Sequence, residues 1–402
     1  MLALLNRAAL CRRHRSSILF RDQTPRVRSR EPTFQPLIRH GQSRDFVNIP
    51  TILVPPLVFG GLVIALWTWK CFMMVVFQNK IIYMPGLPPN ARRETIADYK
   101  NQCGGIQWRE ERIRSLDGTR ISLCVATVET SSLPAKTVYI LYFQGNASSL
   151  PPRLPFLSPV LRLLKQRASH SEDNVKYTMI CCSYRGYWTS SGRATERGIA
   201  MDAGAALQWI LQDRNLPGEQ DVPVVIWGQS IGAGVATTLA SEREFFKHGL
   251  SPKALILETP FLSIRAMLET LYPQKWLPYR HLWPFLRNQL NSEKALGLMH
   301  ERFGAKAPRV VILAAGKDEL VPAFHGQMLE NTGSKLGLDV KMKTIDSALH
   351  TEVMGRQEGI LSVVDTIEEV AQTREEHPRQ QPNPIDYPPR RTISNGRSTP
   401  SM

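Results

Sequence analysis

The chain has 402 residues, 43% of them hydrophobic, enough for one large α/β unit with extensions or for two domains. Its formal charge of +15 is uneven: residues 1–50 hold ten arginines, no lysine and three acids, a net of +7, and the remaining excess is diffuse, without the basic–aromatic interleaving of a nucleic-acid surface. Nucleic acid is thereby excluded as the main partner. The six cysteines, Cys11, Cys71, Cys103, Cys124, Cys181 and Cys182, have neither paired nor metal-like spacing, which argues against a disulfide framework and a zinc site. No dinucleotide or P-loop glycine pattern, His-Glu-x-x-His or internal repeat is present, so no cofactor is expected.

In chain order, residues 1–50 form an arginine-rich leader expected to be disordered, with Met1 to Arg21 acid-poor enough to resemble a mitochondrial presequence. Ile52 to Trp69 is uncharged and almost wholly apolar, Lys70 follows, and Cys71 to Phe77 is apolar again. About 20 apolar residues span a bilayer core, and a lysine near the end can snorkel to the headgroups. Trp67 and Trp69 suit an interface, and Pro55, Pro56, Gly60 and Gly61 are better tolerated in a spanning helix than in a soluble one. Residues 51–77 are therefore expected to be a single transmembrane segment and 78–107 a linker. The arginines favour a cytosolic N-terminus, a bias weakened by Lys70, Lys80, Arg92, Arg93 and Lys100 on the other side. The endoplasmic reticulum or plasma membrane is the expected site, with a mitochondrial membrane as the alternative.

Residues 108–372 read as one domain. Trp108 to Arg114 and Arg120 to Val128 form a hairpin around Asp117-Gly118. Strands 137–143 and 177–183, helix 195–212, strand 223–228, helix 231–242 and strand 254–257 follow. Such alternation predicts an α/β fold: a mostly parallel sheet with an antiparallel start and helices on both faces. Between about 259 and 301 the alternation stops, and prolines and aromatics crowd Leu271 to Leu286, as in a small apolar cap. Over residues 373–402 the proline-rich tail is expected to be disordered.

Gly228-Gln229-Ser230-Ile231-Gly232 directly follows the apolar run Val222 to Trp227 and precedes a helix. On such a strand-to-helix turn a serine is lifted clear of the sheet, with the helix amides behind it. A serine nucleophile needs a base, and the base an orienting acid. Strand Arg309 to Ala315 ends in a turn carrying Asp318, and strand Val340 to Ile345 is followed by His350. Asp318 is preferred over three other acids. Glu258 follows an earlier strand, Glu319 is expected to face away, and Asp346 stands too close to His350 in sequence. The expected catalytic set is Ser230, Asp318 and His350, with no metal.

After strand 137–143 comes Gln144-Gly145-Asn146-Ala147, and Ser183-Tyr184-Arg185-Gly186-Tyr187-Trp188 stands further on. Together with the serine pentapeptide these motifs resemble the α/β-hydrolase superfamily, specifically its membrane-anchored, bud-emergence-type and serine-aminopeptidase-like hydrolases, over roughly Trp108 to Glu369. The resemblance implies backbone amides of Asn146 and Ile231 as oxyanion donors. Gln144 stands where those relatives usually carry histidine. Trp188 replaces a small residue and is expected to narrow the pocket mouth, whereas Tyr184 and Arg185 are expected to be architectural. The expected activity is hydrolysis of acyl esters or thioesters, of a membrane lipid or an S-acylated protein, at the lipid bilayer. A peptidase and a catalytically idle membrane scaffold stay open as alternatives.

Overall fold

The computed structural model describes residues 50–129, 136–170, 174–213, 221–247 and 249–372. The expected leader and tail lie outside these residues, apart from Pro50. Eight strands form one sheet: β1 (Arg109–Arg114), β2 (Arg120–Val128), β3 (Lys136–Phe143), β4 (Val175–Ser183), β5 (Val222–Gln229), β6 (Leu250–Glu258), β7 (Arg309–Ala315) and β8 (Val340–Ile345). Their order is β1-β2-β4-β3-β5-β6-β7-β8. The β1–β2 and β2–β4 pairs are antiparallel and every other pair is parallel.

The helices are α1 (Val54–Val76), α2 (Gln78–Tyr83), α3 (Ile96–Tyr99), α4 (Leu154–Ala168), α5 (Glu196–Asp213), α6 (Ile231–Ser241), α7 (Ile264–Leu271), α8 (Ser292–Phe303), α9 (Phe324–Lys335) and α10 (Gln357–Gln372). The central strands are apolar at successive positions because both sheet faces are covered. In β3, Tyr139, Leu141 and Phe143 join a core shared with α5, α6 and α8, while Val138, Ile140 and Tyr142 join the opposite core, shared with α4 and α10. This is the α/β-hydrolase architecture.

Helix α4 was not among the expected elements. Pro152, Pro155 and Pro159 obscure its apolar period, yet Pro155 falls in the first turn, where no amide hydrogen bond is lost, and only Pro159 is internal. The irregular cap is shorter than expected, because α8 packs on α6 as part of the frame and leaves residues 259–291 as the insertion.

With Thr51–Leu53, α1 forms the one helix among the described residues long and apolar enough to cross a membrane, and none of its apolar window is buried. Residues 78–107, expected as a linker, pack onto the domain: Tyr83, Ala91 and Cys103 are buried. Arg185 is architectural, as expected. Its guanidinium holds Asp202 at 2.8 Å and Asp117 at 2.7 Å, and ties helix α5 to the β1–β2 turn. The described cysteines are free, and Cys181 and Cys182 are core filling.

Candidate active site

Strand register brings the site together. Phe143 at the end of β3 is level with Gly228 of β5, and Gln229 is level with Glu258 at the end of β6. Ala315 at the end of β7 is level with Ile345 of β8. The turns carrying Gln144 to Ser149, Ser230, Asp318 and His350 therefore emerge along one edge, at the carboxyl ends of parallel strands, where doubly wound sheets bind ligands.

Ser230 joins β5 to α6 with φ +52° and ψ −116°, a left-handed conformation that strains a side chain-bearing residue. Two glycines make the turn possible. A Cβ on Gly228 would lie 2.1 Å from the Gly232 carbonyl oxygen, and a Cβ on Gly232 would lie 2.1 Å from that of Phe143. The turn is pinned from the next strand, since Ser230 N–H donates to the Glu258 carbonyl at 2.8 Å. Ile231 is the first residue of α6, so its N–H has no intrahelical acceptor and points towards the serine end of the helix.

His350 Nδ1 lies 2.8 Å from Oδ2 and 3.0 Å from Oδ1 of Asp318, and both side chains are about 95% covered. A carboxylate only accepts, so Nδ1 carries the proton and Nε2 is left as the basic nitrogen. Burial raises the Asp318 carboxyl, but hydrogen bonds from His350, Val321 and Leu320 outweigh it and hold the group below the usual carboxylate range. The competing acids differ. Glu319 does not simply face away: its carboxylate accepts from the His350 backbone N–H at 3.0 Å. Glu258 is fully buried; it accepts from Gln229 Nε2 at 3.2 Å and stands 3.9 Å from Arg153, and burial pushes its carboxyl up.

Two cavities meet at Ser230, and Asn146 and His350 line both. The first, about 390 Å³, is almost wholly apolar. One wall is the end of α1 and α2, with Met74, Val75, Ile81 and Ile82; the other is the cap, with Ile264 and Met267 among its residues. Gln78 staples the two walls: its amide donates to the Phe285 carbonyl at 3.1 Å and accepts from Arg287 N–H at 2.7 Å. The second cavity, about 260 Å³, has Gln144, Arg153, Ser148, Gln229 and Thr351 on its walls.

The loop after β3 is held from the segment that follows α1. Ala147 N–H donates to the Tyr83 carbonyl at 3.0 Å, Ser148 N–H donates to that of Leu87, and both residues have positive φ. The Gln144 side chain is buried with neither amide atom hydrogen-bonded. Trp188 lines neither cavity, contrary to expectation. It is buried beside the loop, and its indole N–H donates to the Glu94 carbonyl at 2.7 Å. Sequence reading missed Arg153 and the part of α1 and α2 in the cavity wall; Gln78, a polar residue at the end of a long apolar run, was the available signal. Among the described residues no group of three or more potential metal ligands occurs.

No family model matches the chain. Alpha/beta hydrolase domain-containing protein WAV2 of Arabidopsis thaliana is 28% identical over 287 residues, covering 67% of this chain and 79% of that protein. Lysophosphatidylserine lipase ABHD12 of Danio rerio is 36% identical over 161 residues, covering 39% of this chain and 40% of that protein. An alpha-beta hydrolase from Vibrio vulnificus superposes with a TM-score of 0.52 at 17% identity, covering 73% of this chain and 92% of that structure.

Proposed function

The chain has the α/β-hydrolase fold, and on that premise we propose that it is a membrane-anchored serine hydrolase cleaving long-chain acyl esters or thioesters through an acyl-enzyme on Ser230. The observation that carries this reading is the strained Ser230 at the meeting point of an apolar and a more polar cavity, both of which are also lined by a histidine held by a carboxylate.

In the proposed reaction Ser230 Oγ attacks the acyl carbonyl while His350 Nε2 takes its proton. Asp318 fixes the tautomer and stabilises the imidazolium. The tetrahedral oxyanion sits between the backbone amides of Asn146 and Ile231, which work best where water is excluded. Collapse expels the alcohol or thiol, which leaves with the proton held on His350. Water then enters through the polar cavity and the same base delivers it to the acyl-enzyme.

The apolar cavity supports a long acyl chain, since each buried methylene contributes about 0.8 kcal/mol. The likeness to a lysophosphatidylserine lipase supports a single-chain lipid ester, and an S-acyl protein offers the same acyl group on a thiol. Helix α1 supports the membrane anchor. A peptidase that grips a charged α-amine is less well supported, because no acidic residue lines either cavity.

The test is covalent labelling of the detergent-solubilised chain by a fluorescent fluorophosphonate. The reagent should modify Ser230, and Ser230→Ala should remove the label together with about 10⁶-fold of the turnover. A folded protein that takes no label, with Ser230→Ala indistinguishable from wild type in cells, would favour the scaffold.

A further inference from the structure

We infer that the cap is a second membrane-binding element, seated in the headgroup boundary of an anionic leaflet beside α1, so that acyl chains pass from the leaflet to Ser230 without crossing water. This rests on the anchor reading of α1.

The first observation is where the bare part of the helix stops. Residues 51–70 are exposed apart from three half-buried positions, and from Cys71 onward half-buried positions predominate as the cap comes alongside. At 1.5 Å per residue that bare stretch of about 20 residues is about 30 Å long, the thickness of a bilayer's hydrocarbon core. The point at which protein replaces solvent around the helix is therefore the point at which the hydrocarbon should end.

The second observation is what the cap presents there. The Trp276 ring lies 5.8 Å from that of Trp67, one turn inside this boundary. Trp276 is 67% exposed, Phe285 and Leu271 are each 61% exposed and Trp283 is 41% exposed. Lys70 sits 4.2 Å from the centre of the Tyr279 ring, and the Arg265 guanidinium 4.1 Å from that of Trp283. Exposed tryptophans, with a guanidinium stacked on Trp283 and Lys70 beside the buried Tyr279 ring, are side chains suited to a membrane interface.

Charge gives the third. Residues 264–287 hold Arg265, Lys275, Arg280 and Arg287 against Glu269 alone. Basic residues beside a leaflet attract anionic headgroups. The large apolar cavity opens between this face and the end of α1. A soluble enzyme would bury such a surface, and a chain that keeps it bare beside a spanning helix has the leaflet to cover it.

The experiment uses the full chain in vesicles of phosphatidylcholine, with or without phosphatidylserine, carrying acyl chains brominated near the headgroup. Bromine should quench a larger share of tryptophan emission in wild type than in Trp276→Phe, and more so with phosphatidylserine present. Aqueous iodide should quench the two alike. Trp276 lines neither cavity. Trp276→Asp should therefore lower turnover of a long-chain ester in the vesicles by about 10-fold and that of a water-soluble short-chain ester by less than about 2-fold.

Iodide reaching Trp276 while bromine does not would place the cap in water and overturn the inference. Shielding from both quenchers, with a cross-linked dimer, would assign the face to a second copy. Equal bromine quenching without phosphatidylserine would overturn the anionic preference. Quenching is read without catalysis, so absence of hydrolase activity would sink the proposed reaction and leave this measurement standing.

Discussion

The two sides of Ser230 are built from different parts of the chain. The polar cavity of about 260 Å³ is lined by the hydrolase frame itself: the loop after β3, the start of α4 and the turn carrying His350. The apolar cavity of about 390 Å³ is walled largely by additions to that frame, the end of α1 with α2 on one side and the cap on the other. The frame thus holds the reacting atoms in register, and the additions decide what is offered to them. This division predicts that substitutions on the frame side change the rate for every substrate, whereas substitutions on the added side change which substrate is chosen.

The largest effect expected under the proposed mechanism tests which carboxylate serves the histidine. Asp318→Asn should lower turnover by about 10⁴-fold, because a side-chain amide favours the wrong imidazole tautomer. Glu258→Gln, at the buried acid on the polar side, should cost no more than about 10-fold, since Glu258 supports Gln229 and Arg153 and makes no hydrogen bond to His350. Equal losses would move the acid to Glu258 and undo the division.

The same pair has a pH signature. A carboxyl held below its ordinary value stabilises the fold above about pH 4, and that contribution is lost as pH falls through the folded-state value. Thermal unfolding should therefore separate wild type from Asp318→Asn at neutral pH, and the gap should close in acid. A gap that stayed constant into acid would mean that Asp318 titrates normally in the folded chain.

On the added side, Met267→Trp puts an indole into the apolar cavity from the half-buried side of α7. Hydrolysis of a long-chain ester should fall by about 10-fold or more, with less than about 2-fold change for an acetyl ester, because only the longer chain needs the filled volume. Parallel loss on both esters would mean that the cap positions the serine, and frame and additions would no longer be separable.

The frame was also the side legible in sequence. Ser230 and Asp318 each follow an apolar strand and His350 an alternating one, and a strand with its turn is a local pattern. The glycines at 228 and 232 mark the tight approach that the structure shows. The hidden features depend on long-range packing. Helix α4 was masked by Pro159 within its apolar repeat. Residues 78–107 look like a linker because their partners lie far along the chain: Tyr83 reaches Asn288 and Ala147, and Arg92 donates to the carbonyls of Gly186 and Ser190. Trp188 was expected at the pocket because its neighbours in sequence are there, but its indole turns instead to the Glu94 carbonyl. Nothing local announces that the end of an apolar helix will become a wall of the site.

The smallest effect concerns Gln144, where the frame departs from the pattern it resembles. Its side chain is buried on the wall of the polar cavity, and neither amide atom has a hydrogen-bond partner. Leaving such a group unmatched costs about 1–3 kcal/mol, so Gln144→Leu should leave the melting temperature unchanged or slightly raised. If the side chain turns into the cavity during the reaction, its amide can bind the polar leaving group or the hydrolytic water. If the leaving group is the partner, Gln144→Leu should slow hydrolysis of a lipid with a polar head about 5-fold and barely alter that of a simple alkyl ester carrying the same acyl chain. If water is the partner, both esters slow together through the shared deacylation step, and the acyl-enzyme accumulates as a burst. Gln144→His, which restores a side chain with a donor and an acceptor, should recover most of the rate in either case. A leucine variant that matched wild type on both esters would show that the polar cavity places no demand on the amide.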